Sequence, residues 1–310
     1  MSLINKKFDV TATFACFGFL LCWSTGPIFV KLLSGYTDAW IQNFLRYIFA
    51  ALFWLPFFLR SLRKGEIDKK IWILALLPAA TNTISQTLWT IAFYYNIEPT
   101  FMSLIDKSSI LWIAVFSLII FADERVLLKS KRFWTAAALS VIGITGVLVF
   151  KEGFASQKTL VGVLLSFASS AVWAVHVIAV RIGFKNIDSR NTFAVISIYC
   201  LIGFAVLAAL FGNTASIVTI GWKPWIYIIV SAVIGIAICN VLYYAAIKRI
   251  GATIPSITVL AAPFIVILAS RPIFNESLSI FQWLCGLILL AGCALAIWSQ
   301  EHLNPSVASK

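Results

Sequence analysis

The sequence predicts an all-α integral membrane protein whose ten transmembrane helices form two inverted five-helix repeats. Hydrophobic residues make up 61% of the 310 residues and charged residues only 12%, whereas soluble domains are about 45–50% apolar and about 25% charged. Apolar runs of about 20 residues, long enough to cross a ~30 Å hydrocarbon layer, recur along the whole chain. The chain also contains one sequence unit twice, which indicates an internal structural repeat.

Ten apolar runs define the predicted helical spans, which we number 1 to 10 in chain order. The first is too long for a signal peptide and lacks a cleavage site after a short apolar core, so we interpret it as a retained helix. The predicted spans are 11–33, 39–61, 71–94, 99–121, 133–150, 161–182, 190–212, 224–247, 253–273 and 280–299.

The repeated unit can be recognised at two places in each half. A Trp, seven further residues and a base occupy residues 23–31 and again residues 173–181, and the run FADERV returns as FNESLS. We therefore divide the chain into a first five-helix repeat, 1–152, and a second, 153–310. Because five is an odd number, the second repeat must enter the membrane from the opposite side, which gives one fold two mirror-related open states.

The formal net charge of +12 is distributed along the edges of the spans. Most Lys and Arg residues lie in connections on the side of the N-terminus. The positive-inside rule therefore predicts a multi-pass protein of the plasma (cell inner) membrane with both termini in the cytoplasm. We expect a lipid bilayer and a small-molecule solute as partners, and no nucleic acid.

Several weak motifs, taken in order, carry a family resemblance. They are the duplicated Trp motif, Arg46 early in span 2, the Ala-x4-Gly turn at 246–251, Pro263 in span 9, and an acidic residue after each fourth helix, Glu124 and Glu276. In these features, over essentially its whole length, the chain resembles the EamA-like family of the drug/metabolite transporter (DMT) superfamily. The resemblance implies a ten-helix bundle that moves amino acids, other metabolites or nucleotide sugars by alternating access.

The first repeat departs from that family pattern in span 4. Where the family usually carries an apolar-Ser-Pro run, this chain reads LIDKSSIL, so Asp106 and Lys107 replace neutral residues and Ser109 stands where Pro263 stands in the second repeat. Charged residues at membrane depth are costly and usually face protein or water, where they often mark a functional site. The pair therefore indicates the solute pathway.

Four polar residues are expected to meet in one layer. Arg46, Gln86, Asp106 and Lys107 lie about 10–12 Å deep, counted from the same end of their spans at 1.5 Å per residue, and Gln42 lies close by. We interpret the layer as a binding pocket in which Arg46 or Lys107 pairs with a carboxylate. Asp106 then receives an ammonium group or titrates in proton coupling. The alternative is that Asp106 pairs with either base solely to neutralise buried charge.

A second set of candidates lies near the opposite ends of spans 6 and 8, namely His176, Asn240 and Tyr243. His176 is either a protonatable switch or a hydrogen-bonded packing residue. Tyr243 either contacts the solute or belongs to an interfacial aromatic belt. Trp23 either lines the cavity or fills space between helices.

Other features predict how the helices are arranged and packed rather than which residues bind the solute. Spans 1, 3, 4, 6, 8 and 9 are expected to surround the pathway, with a helix break at Gly26 and Pro27. The small-residue runs of spans 5 and 10, with Gly143 and Gly292 in matching positions, are expected to pack closely.

The remaining charged residues at span ends are interpreted as structural. Lys31 and Arg181 are expected to extend their charges to the interface, and Glu124 and Glu276 to cap helices or hold loop bases.

The predicted function is that of a secondary transporter for a small organic metabolite, an amino acid or related carboxylate, in the export direction that the family suggests. A carrier for a nucleotide-type or drug-like solute is the alternative, and a membrane-embedded enzyme or a channel is a more distant one. The sequence has no Walker loop, no HExxH motif and no paired Cys and His at metal-ligand spacing, so we predict no enzyme activity, no cofactor and no metal.

Overall fold

The structure, a computed structural model, is helical wherever it describes regular secondary structure. It describes residues 10–121, 125, 128–151, 156–184, 187–250, 255 and 258–303. Within these residues, nine helices are long and apolar enough to cross a membrane, and a tenth, Ala262–Phe274, is apolar but shorter. The predicted all-α membrane fold is thereby confirmed.

The helix bounds agree with the predicted spans to within a few residues, and part of the start of span 9, residues 253–254 and 256–257, lies outside the described residues. After a turn at 260–261, the described helix of span 9 begins at Ala262 with Pro263 in its first turn, a position that favours helix initiation. In chain order the spans are Val10–Leu33, Ala39–Arg63, Lys69–Ala92, Pro99–Ile105 with Ser108–Ile120, Lys131–Val149, Gln157–Gly183, Ser189–Phe211, Trp222–Ala232 with Val233–Ile238 and Cys239–Ile250, Ala262–Phe274, and Ile280–Leu303; a short helix, Ala215–Thr219, precedes span 8.

The packing of the spans has an approximate twofold symmetry. Span 2 contacts span 7, span 4 contacts span 9, span 5 contacts span 10, and the contact of span 3 with span 6 matches that of span 8 with span 1. Spans 1 to 5 correspond to spans 6 to 10, and replacing every span by its counterpart in the other repeat gives the same set of contacts. The equivalent residues Trp23 and Trp173 contact each other edge to face, with ring centroids 6.1 Å apart. The two repeats therefore meet at their duplicated tryptophans.

The second helix of each repeat begins with an aspartate N-cap. Asp38 caps span 2 by accepting hydrogen bonds from the backbone N–H groups of Trp40 and Ile41. Asp188 caps span 7 by accepting one from Arg190. A carboxylate at this position satisfies backbone donors that a helix start leaves free, so both repeats begin their second helix in the same way.

Both fourth helices are interrupted at the same position of the repeat. Span 4 turns at Asp106 and Lys107, and span 9 is preceded by a turn at residues 260–261. In both turns a backbone N–H donates to the carbonyl three residues earlier, Lys107 to Leu104 and Ala261 to Thr258, each at 3.1 Å. The predicted span 4 is confirmed in its extent, Pro99–Ile120, and contains this turn. Interrupted helices facing each other between inverted repeats are typical of transporter sites.

Span 1, in contrast, is not interrupted. The predicted break at Gly26 and Pro27 was wrong, because one helix runs from Val10 to Leu33 with Pro27 inside it. Proline removes a single backbone donor, and a transmembrane helix tolerates this loss where its neighbours remain hydrogen-bonded.

The predicted close packing of spans 5 and 10 is confirmed. A Cβ atom added at Gly143 would lie 2.4 Å from the Leu289 nitrogen, and one added at Gly292 would lie 2.5 Å from the Ser140 hydroxyl oxygen. Only glycine lets the two backbones approach this closely.

We therefore expect Gly143→Ala to destabilise the protein by about 1–3 kcal/mol, the usual cost of overpacking. Gly286→Ala is the matched control on span 10, because its Cβ would meet only Leu104 side-chain atoms at 3.5 Å or more. Thermal unfolding of the purified variants in detergent measures the difference. Equal Tm values for the two variants would contradict this packing arrangement.

Candidate functional site

A cavity of about 170 Å³, lined by polar and apolar side chains, lies between the two repeats. This volume is roughly ten times what one water molecule requires. Residues of spans 1, 3, 4, 6, 8 and 9 line it, as expected, and residues of spans 2 and 7 also contribute. Span 8 reaches the cavity through a π-helical segment, Val233–Ile238, a distortion often found at functional sites.

The structure brings together all but one of the residues proposed for the site. The cavity-lining members of that set are Trp23, Arg46, Gln86, Asp106, Lys107, His176, Asn240 and Tyr243.

Gln42 is the exception. Its side-chain amide donates to the Val30 carbonyl at 3.2 Å and accepts from the Tyr94 hydroxyl at 3.2 Å. It is fully buried, one helical turn before Arg46, and does not line the cavity. Its expected place in the pocket is therefore corrected: its hydrogen bonds hold span 2 against the ends of spans 1 and 3.

Arg46 lines the cavity and has a buried guanidinium nitrogen without a hydrogen-bond partner among the described residues. Its side chain is 97% buried, and its Nε donates to the Ser231 hydroxyl at 3.1 Å. Among the described residues, its Nη1 has no hydrogen-bond partner and no carboxylate lies within 4.0 Å of the guanidinium. Leaving a buried donor unmet costs about 1–3 kcal/mol, and more for a charged group. Arg46 is therefore a buried cation with one unmet donor at the cavity wall.

Asp106 and Lys107 enter the cavity at the interruption of span 4. The Asp106 carboxylate accepts a hydrogen bond from the Trp89 indole N–H at 3.0 Å through Oδ2. In the described part of the chain, no carboxylate lies within 4.0 Å of the Lys107 ammonium. Asp106 and Lys107 attract each other electrostatically without forming an ion pair within 4.0 Å. Solute binding and mutual neutralisation therefore both stay open as roles for this pair.

His176 has the contacts of a packed residue and also lines the cavity. Its Nδ1 lies 2.9 Å from the Pro78 carbonyl oxygen, and because a carbonyl only accepts, Nδ1 carries the hydrogen. Its ring stacks on Trp173, with centroids 4.7 Å apart. Both interactions hold the imidazole in one orientation.

Asn240 and Tyr243, the other candidates of the second half, also contact neighbouring residues. The Asn240 amide donates to the Ile236 carbonyl at 2.8 Å, which leaves its side-chain oxygen free to accept. Tyr243 packs edge to face against Trp23, with centroids 5.1 Å apart. Both aromatic rings line the cavity.

Sequence reasoning missed three residues that shape the site. Trp89 orients Asp106, and Ser231 orients Arg46. Ser170 lines the cavity with a buried hydroxyl that has no partner among the described residues. Helical spacing contained a signal for two of them, since Trp89 follows Gln86 by three residues and Ser170 precedes Trp173 by three, and such pairs share a helix face.

The charged residues at span ends lie away from the cavity. Lys31 donates to the Phe93 carbonyl at 3.3 Å, and the Arg181 guanidinium lies over the Phe121 ring at 4.6 Å. Glu276 is buried and structural, as predicted, because it accepts hydrogen bonds from Thr100 and Ser270. Glu124 and the end of the 246–251 turn lie outside the described residues.

Comparison with known proteins identifies the family. The model described as the EamA-like transporter family matches residues 10–149 and 160–298. The chain belongs to the EamA-like transporter family. One solved crystal structure, described only as a protein, matches this EamA-like chain with a TM-score of 0.63 at 17% sequence identity, covering 92% of this chain and 96% of the other; at that identity it shows the shared fold alone. No curated protein matches significantly.

Membership in the EamA-like family makes this protein a membrane transporter of small solutes. The two matched segments each contain five spans, and both contribute residues to the cavity. Within the described residues, no group of three or more His, Cys, Asp or Glu residues is arranged to hold a metal ion.

Proposed function

We propose that this EamA-like protein is a secondary transporter that moves an amino acid or related carboxylate through the cavity by alternating access. The observation that carries the proposal is the buried Arg46 guanidinium, whose Nη1 has no partner among the described residues. A carboxylate that reaches this group replaces an unmet donor by a charge-assisted hydrogen bond. Lys107 supplies a second cation on the same cavity.

The size of the cavity supports a small solute. Drug-sized ligands occupy pockets of about 300–1,000 Å³, whereas this cavity holds about 170 Å³. A nucleotide-type or drug-like solute is therefore less well accommodated than an amino acid.

The symmetry of the fold supports alternating access. Spans 4 and 9 are interrupted at equivalent positions on the two sides of the cavity, and the repeats contact each other through equivalent residues. Exchanging the conformations of the two repeats would close one end of the cavity and open the other. The gradient of the solute or of protons supplies the energy, and family resemblance favours export from a cytoplasm that holds both termini.

Counterflow of labelled amino acids and carboxylates in proteoliposomes tests the proposal. We expect unlabelled solute loaded inside to accelerate uptake of labelled solute, because a carrier exchanges one bound solute for another. A channel or an enzyme gives no such acceleration, and its absence for every amino acid and carboxylate would contradict the proposal.

A proton that is exchanged for the solute would bind Asp106 in the empty cavity, because Asp106 is the only carboxylate among the described residues that line the cavity. We expect Asp106→Asn to remove the dependence of transport on an imposed pH gradient. Uptake by wild type and variant is compared with and without the gradient. A dependence that persists in the variant would exclude Asp106 as the proton carrier.

A further inference from the structure

We infer that the solute is an acidic amino acid or a compound with the same charge pattern, that is, two carboxylates and one ammonium group. The inference rests on the proposed function, since it takes the central cavity as the place where the solute binds. It goes further by using all three charged side chains of the cavity to define the solute.

The first step is the charge balance of the cavity. Arg46, Asp106 and Lys107 are the charged side chains among the described residues that line it, two cations and one anion. An isolated charge is costly at membrane depth. A neutral zwitterion would leave the occupied cavity with one surplus positive charge, and a dicarboxylate without an amine would leave it with one surplus negative charge. A solute with two carboxylates and one ammonium group matches all three.

The second step is that none of the three groups is held in an ion pair within 4.0 Å among the described residues, although Asp106 and Lys107 attract each other as neighbours. Within the described part of the chain, neither Arg46 nor Lys107 has a carboxylate within 4.0 Å. Asp106 receives a neutral indole N–H at Oδ2, and this contact leaves Oδ1 able to accept from an ammonium group. Each of the three charged groups therefore keeps hydrogen-bonding capacity for a solute group.

The third step concerns Ser170, a further polar residue that lines the cavity. The Ser170 hydroxyl is buried against the cavity without a partner among the described residues. A hydroxyl both donates and accepts, so it fits a carboxylate or an ammonium group equally well. The cavity, at about 170 Å³, leaves little room for a long apolar side chain in addition to three charged groups.

The test is a comparison of near-isosteric solutes in proteoliposome counterflow. The probes are L-aspartate and L-glutamate, their amides L-asparagine and L-glutamine, and the amine-free dicarboxylates succinate and glutarate. We expect one of the two acidic amino acids to exceed its amide and its amine-free analogue by at least about tenfold in kcat/KM, the effect of one lost charge-assisted hydrogen bond.

Two variants reverse the preference in opposite directions. Lys107→Met removes a cation with little change in shape, so we expect it to favour the amide over the acid. Asp106→Asn removes the anion, so we expect it to favour the amine-free dicarboxylate. Folding is checked by size-exclusion profile and Tm; where a variant does not fold, the wild-type comparison decides alone.

The outcomes separate this inference from the proposed function. Wild-type exchange of an amide or a dicarboxylate at a rate equal to or above that of both acidic amino acids would overturn the inference and leave the proposed function standing. Variants that slow all probes by one common factor would also overturn it. Failure of every amino acid and carboxylate to exchange would overturn both.

Discussion

Replacing Arg46 by Gln is expected to reduce kcat/KM for carboxylate solutes by roughly two orders of magnitude. The change removes the buried guanidinium whose Nη1 has no partner among the described residues, and losing one partner of a buried charged pair costs about 3 kcal/mol. Without solute, the same change is expected to leave the Tm unchanged or raise it, because it removes an unpaired buried charge. Counterflow and thermal unfolding measure the two effects on the same preparations.

Two further substitutions make the Arg46 result specific. Arg63→Gln alters an exposed arginine at the end of the same span and is expected to transport like wild type. Arg46→Lys keeps the charge but loses the planar fork of donors, so we expect intermediate transport. Wild-type transport by Arg46→Gln, or a large drop in its solute-free Tm, would contradict the assigned role.

Replacing Glu276 by Ala is expected to destabilise the protein by about 3 kcal/mol. The buried carboxylate accepts from the Thr100 N–H at 2.9 Å, from the Thr100 hydroxyl at 2.8 Å and from the Ser270 hydroxyl. Each buried donor left without an acceptor costs about 1–3 kcal/mol. The carboxylate also stabilises the N-terminus of span 4, where backbone N–H groups are otherwise unsatisfied. Thermal unfolding in detergent measures the loss.

Glu98→Ala is the matched control for Glu276. Glu98 lies beside the same helix start and forms an ion pair with Lys151, but its side chain is 46% exposed. The Lys151 side chain is only 9% exposed, but its ammonium also lies over the Phe101 ring at 4.7 Å and keeps this contact without Glu98. We therefore expect a smaller loss of Tm than for Glu276→Ala. Glu276→Gln keeps one acceptor oxygen and should lie between the two. An equal loss in Glu276→Ala and Glu98→Ala would show that the buried contacts to Thr100 and Ser270 contribute little.

The sequence predicts the spans well because length and hydropathy depend on single segments. It does not predict the interruption of span 4, because neither Asp106 nor Lys107 is a helix breaker, and the proline that marks the equivalent turn, Pro263, is Ser109 in the first repeat. Pro27 shows the converse. A helix-breaking residue remains inside a continuous helix, because the outcome depends on neighbouring hydrogen bonds that the sequence does not specify.

Counting depth along each span predicts that most candidate residues lie in one layer of the membrane. It does not predict which residues of that layer line a cavity. Gln42 shares a helix face with Arg46, four residues away, yet lies one turn, about 6 Å, nearer the helix start. There the side chains of neighbouring spans are already in contact. Ser170 and Ser231 have no distinguishing signal as residue types, since serine is common in packed transmembrane helices. Their roles depend on which partner lies opposite, which only the assembled bundle shows.

Sided alkylation of one cavity residue tests most directly that the solute site opens alternately to the two faces. Ser170→Cys, in a variant without the six native cysteines, would be treated with a small impermeant thiol reagent in right-side-out and in inverted vesicles. We expect modification from both faces, slowed in both orientations by a saturating transported solute. Modification from one face only, or at a rate that the solute does not change, would contradict a cavity that alternates between the two inverted repeats.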